Sequence, residues 1–217
     1  MALVGFLLTL VWAYFAQQNR VTREVQARNE LNIQVRALAE SVSMDLQMAG
    51  ARAVVDIDGK AAYVPAVVDD DACSADFSGC VVVVPFEEND GVYELSIVYA
   101  TSLRATNSCR RIVYHFDPEE EVIYRADDPC EATTPTLDSF ATRFLTGVLN
   151  LNVTFVCTPA SEDEDAIEAI DPADCFVDGY TAIRQAVVLV SGESRGRTNV
   201  SQSLELTTTM PNTRSLE

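Results

Sequence analysis

The chain has 217 residues, 48% of them hydrophobic, with 33 Asp+Glu against 15 Lys+Arg and a net charge of −18. This is enough apolar content for a core and too much for a disordered chain, and the length fits one domain plus an appendage. The acidic excess argues against direct nucleic-acid binding, which needs a basic face, and against electrostatic attachment to anionic lipid.

The first segment, Met1–Ala16, holds no charged residue. As a helix it would span roughly 24 Å, slightly short of a bilayer core of ~30 Å. It has neither the basic start nor the small-residue cleavage site of a secretory signal. From Phe6 to Ala49 there is no Gly and no Pro, so one helix over residues 1–50 is predicted, about 75 Å long. After Gln17–Gln18 it turns amphipathic. Leu31, Val35, Leu38, Val42 and Leu46 recur at spacings of four and three and form one apolar stripe, predicted to pack on a sheet. Arg20–Glu24, Glu24–Arg28 and Arg36–Glu40 are opposite charges at i,i+4 on the other faces. Gly50 supplies a stop. The charges of residues 1–50 cancel, four Arg against three Glu and Asp45, so the whole net charge lies in residues 51–217.

From Ala51 the period changes to two, and residues 51–217 read as a β-rich globular domain. Strands are predicted at Ala53–Ile57, Ala61–Val68, Val81–Val84 and Val92–Ala100. Arg110–Phe116 and Glu121–Arg125 flank Asp117-Pro118-Glu119-Glu120 and form a predicted hairpin. Leu137–Thr146 reads as a short helix or irregular turn, Val148–Cys157 as a strand and Glu162–Asp174 as an acidic loop. Thr181–Ser191 and Val200–Met210 close the chain as a last pair. Strands in mostly sequential pairs imply an antiparallel sheet with a face on the helix stripe, an α+β fold.

The cysteines, at 73, 80, 109, 130, 157 and 175, form no C-x-x-C and no pair with histidine at zinc-ligand spacing. An even count behind an apolar N-terminal segment implies an oxidising compartment and up to three disulfides. Six cysteines allow fifteen connectivities. Sequential pairing is the simplest, Cys73–Cys80, Cys109–Cys130 and Cys157–Cys175.

Signals for chemistry are sparse. Asp69, Asp70 and Asp71, or Glu162, Asp163, Glu164 and Asp165, offer clustered oxygens for Ca²⁺, but neither has an EF-hand pattern and a solvated acidic loop is the preferred reading. The single histidine, His115, lies in a strand pattern. No nucleophile elbow, P-loop or dinucleotide fingerprint is present. No catalytic residue, cofactor or small-molecule substrate is expected.

Three stretches carry a resemblance. The apolar helix runs into ARNELNIQVRALAESVSMDLQMAG, whose ending Asp45, Leu46, Met48, Ala49, Gly50 resembles an L-x-x-D-hydrophobic-x-M-A-G pattern. ELSIVYATSL with CRRIVYHFDPEEEVIYRADD is similar to a strand and hairpin. FLTGVLNLNVTFVC with TAIRQAVVLVSGES is similar to two late strands. In this order they resemble the type IV pilin-like superfamily, and within it minor pilins of the PilW type and minor pseudopilins of type II secretion. The departure is at the start: the leader, cleavage site and F-T-L-x-E of pilins do not precede the apolar run, and Met1 falls just after the expected glutamate. An internal start is the expectation. Five further residues would lengthen the apolar span to about 21, the length a bilayer needs.

The resemblance implies a structural subunit, with other pilin or pseudopilin subunits as partners. Leu3, Val4, Phe6, Leu7, Leu8, Leu10, Val11 and Trp12 would lie in the inner membrane before assembly and pack helix on helix in a filament core afterwards. The domain would lie outside the cytoplasm. Arg20 and Arg23 would mark the membrane boundary or simply an exposed helix face. Direct DNA capture is not expected without a local basic patch, such as Arg110, Arg111 and Arg125 around the hairpin. The alternative is a membrane-anchored binding module or adhesin that does not polymerise.

Overall fold

The computed structural model describes residues 2–49, 53–57, 60–64, 81–86, 91–100, 109–117, 122–129, 142–144, 148–159, 165–176, 180–194 and 200–210. Helix α1, Ala2–Met48, runs unbroken for 47 residues, about 70 Å. The Ala49 amide donates to the Leu46 carbonyl at 3.2 Å and tightens its last turn.

Eleven strands among the described residues form three antiparallel sheets. Strands β1 (Ala53–Ile57) and β2 (Lys60–Val64) make a separate pair. A five-stranded meander follows: β3 (Val81–Phe86), β4 (Gly91–Ala100), β5 (Cys109–Asp117), β6 (Val122–Pro129) and β7 (Thr142–Phe144). Strands β8 (Val148–Pro159), β9 (Ile167–Ala169), β10 (Tyr180–Ser194) and β11 (Val200–Thr209) form a sheet of order β11-β10-β8-β9. The antiparallel sheet packed on the helix stripe is present, and the strands divide among three sheets. Alternation of apolar and polar residues marks a strand but carries no information about its neighbour. Pro85 lies on the outermost strand β3, where the missing N–H breaks no interior ladder, and the register shifts beside it.

Two local expectations change. Of Leu137–Thr146, read as a helix or turn, the described part Thr142–Phe144 is a strand paired with Ile123–Arg125. The acidic loop Glu162–Asp174 contains β9 and enters a 3-10 turn, Pro172–Phe176. Ile167 and Ala169 hold β9 in register with Cys157 and Phe155.

The helix lies against β11, β10 and β4, and β8 adjoins β4 and β6, so the two larger sheets and the helix enclose one core. On β8, Leu151, Val153, Phe155 and Cys157 point inward. On β5 and β4, Ile112, Tyr114, Leu95 and Ile97 do the same. Each such side chain contributes roughly 1.5–3 kcal/mol.

Candidate functional site

The helix changes character along its length. Leu31, Val35, Leu38, Val42 and Leu46 are between 0% and 5% exposed and join the core, with Ala39 and Ala49 on the same face. Toward the N-terminus the same helix is bare. Phe6, Leu7, Leu8, Leu10, Val11 and Trp12 are all exposed, Phe6 at 63% and Trp12 at 77%, and so are Tyr14 and Phe15. Leu3 and Val4 are helical, and their side chains lie outside the description. Apolar side chains on every face of one segment exceed what a soluble monomer ordinarily exposes. Among the described residues no helix is long and apolar enough to cross a membrane. Arg20 and Arg23 are exposed just beyond the apolar run.

The bare segment is only as well placed as its anchor. At the anchor the buried stripe carries a charge, Asp45, 4% exposed. Tyr114 and Arg125 are direct cross-strand partners on β5 and β6 and face it together. Arg125 grips the carboxylate with both arms, Nε donating to Oδ2 at 2.9 Å and Nη2 to Oδ1 at 3.1 Å. The Tyr114 hydroxyl donates to Oδ2. Its one proton is thereby committed, so at the 2.8 Å contact with Ser41 the serine hydroxyl donates to Tyr114. The guanidinium carbon also lies 6.0 Å from the Tyr114 ring centroid. Farther along the helix, Gln47 donates to the Thr208 hydroxyl at 2.9 Å, tying α1 to β11. The apolar stripe supplies burial, and these polar contacts fix rotation and register.

The pKa values follow from this packing. Burial first, then the charge of Asp45 and the hydrogen bond to it, push the Tyr114 phenol well above its usual 10.0. The hydrogen bond to Asp45 raises Arg125 further, against the opposing effect of burial. Above about pH 10 an unfolded chain loses the tyrosine proton while the folded chain keeps it. The protonated Tyr114 contribution is therefore complete below that pH and lost as pH rises. Unfolding free energy is expected to fall as pH rises above about 10, by up to ~1.4 kcal/mol per pH unit from this residue. Tyr114→Phe should flatten that part of the profile; an unchanged slope in the variant would contradict the assignment.

Asp45 was legible only as one position of a degenerate motif. The signal that locates it is spacing. It follows Val42 by three and precedes Leu46 by one, which places a carboxylate on the buried face, where it requires a cation. The hairpin is corrected as a basic patch. Arg125 is committed to Asp45, and Arg110 binds Asp127, with Nη2–Oδ1 at 2.7 Å. Arg111 stands opposite Asp128 in the ladder. His115 is half-buried on a strand face, its Nδ1 3.8 Å from Glu94 and its ring edge-on to Tyr93 at 4.8 Å.

Cys157 and Cys175 form a disulfide that ties β8 to the 3-10 turn. The pairings Cys73–Cys80 and Cys109–Cys130 lie outside the described residues, as do Asp69, Asp70, Asp71, Glu162, Asp163 and Glu164; Asp165 is exposed. Among the described residues no three acidic, Cys or His side chains are grouped to hold a metal ion.

No protein-family profile and no solved structure matches this chain. A curated relative does: the pilin-like protein PilA3 of Thermus thermophilus, 31% identical over 203 residues, covering 89% of this chain and 75% of the relative.

Proposed function

Since this chain belongs to the pilin-like proteins, we propose that it is a non-enzymatic structural subunit of the minor pilin or minor pseudopilin kind, built into a filament through its N-terminal helix. The observation that carries this reading is the division of one continuous helix into a face buried on the sheets and a segment bare on all sides. A helix–helix interface between copies related by a non-closing rotation would cover that segment and generate a helical polymer. Before assembly the segment would lie in the inner membrane, with the β-rich part outside the cytoplasm. Replacing one apolar environment by another makes the transfer feasible, and packing supplies the gain. The acidic exterior suits a subunit whose domain stays hydrated while its helix does not.

The test is fractionation of cells carrying the native chain. The protein is expected in a sheared filament fraction, with its mature N-terminus readable there by mass spectrometry. Leu8→Glu should remove it from that fraction, because a charge in a helix-packed apolar core costs about 2.5–3.5 kcal/mol on membrane-insertion scales. Leu8 makes no contribution to the folded core, so the thermal midpoint should not change. A wild-type chain that remains in the membrane fraction and never in sheared filaments would reject the reading and favour an anchored binding module.

A further inference from the structure

The face of α1 turned away from the sheets carries a second pattern. Leu8, Trp12 and Phe15 are followed by Asn19, Thr22, Gln26 and Asn29, and then by Ile33. The steps alternate strictly between four and three residues, the spacing of a coiled-coil seam. Ile33 stands two residues from both Leu31 and Val35, about 200° around the helix, so the seam lies opposite the buried stripe. All of these side chains are exposed, Trp12 at 77% and Ile33 at 68%. Charge is excluded from the seam. Arg20, Arg23, Glu24, Arg28 and Glu30 crowd the same stretch, and none falls on it. Its middle holds three amides and a hydroxyl instead. Among the described residues, Asn19, Thr22, Gln26 and Asn29 make no hydrogen bond through their side chains, whereas Gln18, off the seam, donates to the Tyr14 hydroxyl at 3.0 Å.

The chemistry of the seam selects its occupant. Each amide both donates and accepts, and so does the hydroxyl, so the seam can satisfy a copy of itself. Lipid chains would cover Leu8, Trp12 and Phe15 but offer nothing to the amides. Charge points the same way. Residues 51–217 carry the whole net charge of −18 and repel a second copy, while the charges of residues 1–50 cancel. Two copies therefore approach most readily along their helices. On the premise of helix-mediated assembly, we propose that this seam packs along the seam of a second copy, with Asn19, Thr22, Gln26 and Asn29 hydrogen-bonding across the contact and setting its axial register. Apolar packing alone resists slippage weakly, because Leu8, Trp12 and Phe15 meet apolar side chains in many registers. An amide buried out of register leaves its partner unsatisfied. Seven residues fall short of two full turns, so the seam drifts about 20° per heptad and winds left-handed. Copies crossing at about +20° keep it in contact along its length. In a helical array every copy turns the same face to the axis, so one seam per chain is enough.

Two differently tagged copies of the full chain are expressed together in the native cells, with photoreactive benzoylphenylalanine at one position of α1. Thr22 reports the seam with its three amides in place. Val21 and Arg28, seven residues apart, report the far side. After illumination, membranes and sheared filaments are analysed separately. The Thr22 probe should give an adduct bearing both tags, at least about fivefold above either far-side probe. Its cross-linked site on the partner should fall within about two helical turns. Asn19→Leu, Gln26→Leu and Asn29→Leu together should keep the adduct and spread that site over more turns. Gln26→Lys should lower the yield about tenfold, since a charge then enters the contact. The thermal midpoint should not change in either variant, because these side chains are exposed and lie outside the core. The seam is overturned if seam and far-side probes react equally, or if the Thr22 probe gives no adduct or joins only lipid or a different protein. A triple leucine variant that keeps the wild-type site would overturn the role of the amides in register. A chain absent from sheared filaments would reject the filament reading, whereas the seam is judged by the adduct in whichever fraction holds the chain.

Discussion

Asp45→Ala is expected to destabilise the fold by about 3–5 kcal/mol, a large share of the ~5–15 kcal/mol that stabilises an ordinary domain. The loss is not that of one attractive contact. Removing the carboxylate leaves the Arg125 guanidinium, whose side chain is 21% exposed, without its bidentate acceptor, and leaves the Tyr114 hydroxyl facing a vacancy. A buried charge stripped of its partner is costly, whereas an apolar pair of similar volume is not. The double variant Asp45→Leu with Arg125→Met should therefore recover most of the loss. Arg36→Ala breaks an ion pair whose side chains are 69% and 58% exposed and should change little. Urea denaturation midpoints measure all four proteins. A single-variant loss below about 1 kcal/mol would mean that the cluster does not anchor the helix.

Replacing Cys157 and Cys175 together with alanine should cost about 3 kcal/mol by loop-closure entropy, given a sequence separation of 18. Both residues are fully buried, so the bond also holds the packing of the 3-10 turn on β8. The effect should be local first. Amide hydrogen exchange in Ile167–Ala169 and Pro172–Phe176 should accelerate more than in the meander β3–β7, since only the former is held by this tie. The substitution is preferred to a reducing agent, because it touches one cysteine pair alone. Equal exchange rates in the variant and wild type would contradict a structural role for the bond.

The Asp45 experiment probes the anchorage of a helix whose outer part is bare. A helix that rotates or detaches at Asp45 no longer presents Phe6–Trp12 in a fixed direction relative to the sheets. Filament incorporation and fold stability are therefore expected to decline together for Asp45→Ala and to separate for Leu8→Glu.

The division of the chain was legible in its local patterns. An uninterrupted stretch without Gly or Pro dictates one helix, because no residue in it breaks the i→i−4 ladder. The stripe of Leu31, Val35, Leu38, Val42 and Leu46 dictates which face is buried, since 3.6-residue periodicity places them on one side. Alternation dictated the strands from Ala53 onward for the same kind of reason. Each of these is a property of neighbouring residues, which sequence states directly. Tertiary structure alone decided how the strands divide into sheets, that Thr142–Phe144 and Ile167–Ala169 become edge strands, and that Asp45 meets Tyr114 and Arg125 across separations of 69 and 80 residues. Those outcomes depend on which surfaces meet once the chain has collapsed, and no local pattern encodes a partner. The arginines of the hairpin show the difference most plainly. In sequence they are a run of positive charge, and in the fold Arg110 and Arg125 are paired with carboxylates.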